Sequence, residues 1–112
     1  MSDISCQLFN GFTDTIAFLE QAQKDGRPLT LITAPQASAW LGAGYVKALS
    51  DELHVLFPDT LDKLIYDCGT HIGDALGALR SGLKHIAVEK TPALPALQAY
   101  AAVHGATIIV SG

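Results

Sequence analysis

Four apolar runs, each too short to be a buried helix, recur along this chain, and the stretches between them repeat at the helical period. The runs are LTLIT at 29–33, KLIYD at 63–67, KHIAVE at 84–89 and ATIIV at 106–110. Each is continuous rather than alternating and rich in β-branched residues, the pattern of a strand covered on both faces. Strands separated by helices cannot pair as tight hairpins, so successive strands are expected to run parallel and to be joined by right-handed crossovers. The expected architecture is an α/β three-layer α/β/α sandwich with a mostly parallel sheet of four to five strands.

The intervening segments carry helix signals. Thr13 is placed to cap a helix running to about Lys24, with Ile16, Leu19, Glu20 and Ala22 in helical register and Gly26 at the left-handed end. From Gln36, QASAWLGAGYVKALSDELHVLF returns to that period, and its tail at 53–57 reads equally as a helix end or as a separate strand. THIGDALGALRS predicts a helix closed by Gly82. Thr91 is expected to cap a last helix with Pro92 at its first position and Pro95 in its first turn, ended by Gly105. ISCQLF at 4–9, if a strand, belongs at an edge.

With 112 residues the chain fits one domain, 1–112, and is too short for a closed eight-fold βα barrel. Hydrophobic residues make up 49% and charged residues only 16%, so apolar surface in excess of the core points to self-association or a protein partner. Net charge is −4, and the seven Lys and Arg are scattered singly, which argues against a nucleic acid partner. No apolar stretch reaches the roughly 20 residues that span a bilayer and no cationic leader is visible, so no membrane is expected and the location is expected to be cytoplasmic. Cys6 and Cys68 are too sparse for a disulfide scaffold and read as reduced thiols.

In parallel sheets ligands gather beyond the carboxyl ends of the strands, near helix N-termini. Three loops share that expected edge: Thr33 to Ser38, Asp67 to His71, and Glu89 to Thr91. Thr33, Ser38, Asp67, Thr70, Glu89 and Lys90 are the expected ligand contacts for a small molecule or anion. Cys68 and His71 form a candidate nucleophile and base, with Asp67 or Asp74 to orient the imidazole. The same turn has a structural reading, in which Cys68 fills the core, Asp67 or Thr70 caps the helix and Gly69 permits the turn. No metal site is expected, since Asp67, Cys68, His71 and Asp74 span too few residues to converge on a tetrahedron. No cofactor is identified.

Three stretches resemble parts of known patterns. Gly42, Ala43 and Gly44 are similar to a dinucleotide-binding fingerprint but come well after LTLIT instead of at its tip. Asp67 and Lys90 at consecutive strand ends resemble part of a response-regulator receiver domain, whose acidic pair is replaced here by Thr33, Ala34 and Pro35. DCGTHIGDALGAL between strands is similar in outline to the sulfate-transporter and anti-sigma-factor antagonist domain, with Cys68 and Thr70 in place of its aspartate-serine context. Two functional expectations follow from the residues: an interaction module that binds itself or a protein partner, and a binding protein or enzyme working at the strand tips.

Overall fold

The computed structural model describes residues 5–8 and 12–111. Its order is β1 (Ser5–Leu8), α1 (Phe12–Asp25), β2 (Leu29–Ile32), a one-turn 3-10 helix (Ala37–Ala39), α2 (Ala43–Leu56), β3 (Leu61–Gly69), α3 (Ile72–Arg80), β4 (His85–Glu89), α4 (Leu94–Val103) and β5 (Thr107–Ser111). All four strand pairings are parallel and the sheet order is β1-β2-β3-β4-β5. The α/β class, the parallel sheet and the edge position of the first strand agree with the sequence, and the sheet has five strands.

The strand order never reverses. Right-handed crossovers that always step the same way place their helices on the same side of the sheet. The core has that composition. It joins Leu19 of α1, Val46, Leu49 and Leu53 of α2, Ala75, Ala78 and Leu79 of α3, and Leu97 and Ala101 of α4 to Leu29, Leu31, Leu64, Tyr66, Ile86 and Val88 of the strands. Those strand residues share one face by register, whereas Thr30, Ile32, Lys63, Ile65, Asp67, Ala87 and Ile109 belong to the other. Of the three layers expected, residues 12–111 therefore supply the sheet and one helical layer.

Local boundaries differ from the sequence reading where chemistry intervenes. The helical pattern from Gln36 is broken at Trp40 to Gly42, so a 3-10 turn precedes a helix that starts only at Ala43. Tyr66 holds this break by donating its hydroxyl to the Leu41 carbonyl. Residues 53–57 finish α2, with the Phe57 N–H bonded to the Leu53 carbonyl, and form no strand. Thr91 does not cap α4 directly: its hydroxyl accepts the Ala93 N–H, and the helix begins at Leu94 with Pro95 in its first turn. The first helix starts at Phe12, which puts Thr13 inside the first turn.

β3 carries two irregularities that shape its ends. Asp62 is the extra residue between the Leu29–Leu61 and Thr30–Lys63 pairs, and its carboxylate accepts the Thr30 hydroxyl at 3.1 Å. Cys68 is the extra residue between the Asp67–Ala87 and Gly69–Val88 pairs, beside the strand tip.

Thr15 of α1 is 0% exposed and its hydroxyl has no partner among the described residues. Burying an unpaired hydroxyl costs about 1–3 kcal/mol. Thr15→Val, which keeps the shape and removes the polar atom, is expected to raise the free energy of unfolding by about 1 kcal/mol in a urea titration.

Candidate functional site

Parallel strands bring the loops after β2, β3 and β4 to one edge, and the first two are clamped together by Asp67. Its Oδ1 accepts the N–H of Gln36 at 3.0 Å and that of Gly69 at 2.9 Å. The Asp67 N–H in turn donates to Thr33 Oγ1 at 2.8 Å, and the Thr33 N–H to the Ile65 carbonyl at 3.0 Å. Gln36 and Gly69 face each other with positive φ, 58° and 54°. A Cβ at Gly69 would lie 2.4 Å from Gln36 Cγ, so this position requires glycine for both backbone and space. Thr33 is 1% and Asp67 9% exposed, which makes both of them framework before ligand.

Cys68 is fully buried. Burial is the main reason that its thiol is pushed up to about 12 from 9.0; Asp74 and Asp67 add to the rise and a hydrogen bond with Ser38 opposes it. A thiol so shifted is protonated at neutral pH, the form that does not attack. His71 faces Asp74 instead, Nδ1 to Oδ2 at 3.9 Å, and Ser38 donates its hydroxyl to the same Oδ2 at 3.0 Å. The carboxylate thus stands between hydroxyl and imidazole, whereas activating a hydroxyl needs the imidazole between hydroxyl and carboxylate. His71 and Asp74 have side chains 43% and 46% exposed, and a pair so wet contributes little.

The edge therefore gathers Thr33, Ser38, Asp67, Cys68, His71 and Asp74, while Thr70 lies exposed at the turn. Glu89 is half-buried and Lys90 exposed at the tip of β4, and no side-chain hydrogen bond joins them to the Asp67 clamp. Among the described residues no cluster of three or more His, Cys, Asp or Glu side chains is arranged to hold a metal ion. No helix of the described residues is long and apolar enough to cross a membrane. Gln36 was not legible as a partner of Asp67, because nothing in its neighbourhood signals a left-handed backbone.

The second sheet face is the other candidate surface. Its centre is Ile65 and Ala87, flanked by Ile32 and Ile109, with Lys63 toward the amino end and Asp67 and Glu89 toward the carboxyl end. None of its strand residues joins the core that all four helices share. Ile65 and Ala87 are shielded, at 8% and 2% exposure, while Ile32 and Ile109 are half-buried.

A cavity of about 150 Å³ opens at the opposite, amino-terminal edge, lined by Lys47, Ser50, Asp51, His54, Leu64 and the 82–85 segment. The spacing of Lys47, Asp51 and His54 puts them on one side of α2, a signal present in the sequence. The chain matches no family model, and a search of curated proteins finds no match.

Two measurements check this account. Asp67→Ala, which leaves the Gln36 and Gly69 N–H groups without their acceptor, should cost about 2 kcal/mol of stability in urea unfolding. Cys68 should resist thiol reagents in the folded protein at pH 7 and react once it is unfolded. Its folded pKa lies above the unfolded value, so between pH 9.0 and about 12 the unfolded chain loses the proton first. Tyr66, pushed up to about 12 from 10.0 chiefly by burial, acts in the same sense. Stability should accordingly fall as pH rises through that window.

Proposed function

We propose that the protein is a small interaction module that pairs with a second copy of itself through the helix-free face of its sheet. The observation that supports this reading is an all-parallel sheet with a helical layer on one side only. Such sheets occur almost always with both faces covered, because both faces are built of apolar side chains. Ile32, Ile65, Ala87 and Ile109 give this face that character.

Charge selects the second copy and its orientation. Lys63 lies one row to the amino side of Ile65 and Asp67 one row to the carboxyl side, with Glu89 a row beyond it on the next strand. Two copies stacked with strands antiparallel about a two-fold axis through Ile65 set each Lys63 against the partner's acidic end. Stacking with strands parallel sets lysine against lysine. The two-fold arrangement is isologous, and sheets pack face to face at about 10 Å.

The strand-tip alternative has less support. Crevices at the carboxyl edge form where strand order reverses, and here it does not reverse. The loops are instead drawn together by the Asp67 clamp.

Sedimentation velocity tests the proposal. The wild-type chain of 11.8 kDa should sediment as a dimer. Lys63→Glu and Glu89→Lys, each folded by circular dichroism, should weaken dimerisation at least ~10-fold, because like charges then face each other. The double reversal should recover part of the loss, since Asp67 still stands opposite position 63. A wild-type monomer at high concentration, or a double variant no better than the singles, overturns the reading.

A further inference from the structure

We infer that the cavity at the amino-terminal edge, between α2 and the start of β4, is a binding site for a small tetrahedral oxyanion, phosphate being the type. This site is separate from the strand tips, and its lining shares with the proposed pairing only His85, which strand alternation puts on the helix-free face near Lys63.

The cavity collects cationic groups on a chain whose net charge is −4. Lys47 and Lys84 stand at its wall with a single carboxylate, Asp51, and with His54 and His85. Lys47 is held there by two contacts. Its stem crosses Gly82, where a Cβ would lie 2.9 Å from Lys47 Cε, and its amine donates to Asp51 Oδ1 at 2.6 Å. Gly82 has φ of 97°, so the turn that lets the lysine pass is one that only glycine takes without strain.

Donors remain for a ligand. Each ammonium has three N–H groups: Lys47 uses one on Asp51, and Lys84 one on the His104 carbonyl at 2.7 Å. His54 Nδ1 lies 2.8 Å from the Ser50 carbonyl, which can only accept, so that nitrogen carries the proton and Nε2 is left as an acceptor, suited to the hydroxyl of a hydrogen phosphate. The volume of about 150 Å³ admits an oxyanion with a few waters and falls below the roughly 300–1,000 Å³ of pockets that hold drug-sized ligands.

His85 gives the site a reporter. Burial, followed by Lys63, lowers its pKa below 6.5; Asp62 opposes the shift and His54 adds to it. The shift favours the neutral ring, whereas a bound anion favours its charged form.

The test is an NMR titration of the histidine ring protons with sodium phosphate at constant ionic strength, in parallel with phosphoserine, on the full chain. Saturable shifts of His54 and His85, an upward move of the His85 pKa and at least ~10-fold weaker binding in Lys84→Gln are expected, a loss of the size of one charge-assisted contact. Lys47→Gln should weaken it likewise, and urea unfolding verifies that both variants fold. Saturation by phosphate identifies the free ion as sufficient; saturation by phosphoserine alone identifies a phosphate carried on a larger molecule, and either supports the site. No saturable shift with either probe past the millimolar range, or equal shifts in wild type and both lysine variants, overturns it.

Discussion

The one-way winding of the sheet governs everything else in this molecule. A strand order that steps in a single direction, combined with crossovers of fixed hand, sends all four helices to one side. One side of the sheet becomes core and the other is left to its own side chains. The same monotonic order removes the reversal that opens a ligand crevice at the carboxyl edge in doubly wound sheets. Chemistry-bearing residues do meet at that edge, but they meet to close it.

That closure gives a turn with reactive residue types a structural task. A single carboxylate oxygen receives two backbone N–H groups from separate loops, each in a left-handed conformation. Charged acceptors make stronger hydrogen bonds than neutral ones, and this one is buried, so it offsets the strain of the left-handed backbone at Gln36. Cys68 lies just beneath, its thiol kept neutral by the same exclusion of water that stabilises the clamp.

Much of the fold was legible in the residues and some of it was not, for identifiable reasons. LTLIT, KLIYD, KHIAVE and ATIIV each became a strand, because continuous apolar β-branched runs bounded by Gly and Pro have few other uses. The glycines at 26, 82 and 105 have the positive φ expected where helices end. The break at Trp40 to Gly42 was hidden, since an apolar period runs through it and the Tyr66 hydroxyl that holds it comes from 25 residues away. Layer count was hidden for a related reason: Ile65 and Ala87 are as apolar as Leu64 and Ile86, so the strands read as covered on both faces. The Cys68 and His71 pairing looked plausible in sequence but the bulge at Cys68 turns the thiol into the core while His71 stays at the surface beside Asp74.

A ribbon of strands laid down in chain order also ends in two unlike borders. The first strand forms one and TIIVS, which carries no charge and no proline, forms the other. Because every neighbour is parallel, the last strand of one molecule presents the hydrogen-bonding ladder that the first strand of another would continue. Such joining is head to tail, so it would give a ring where the rotation between copies closes and an open fibre where it does not.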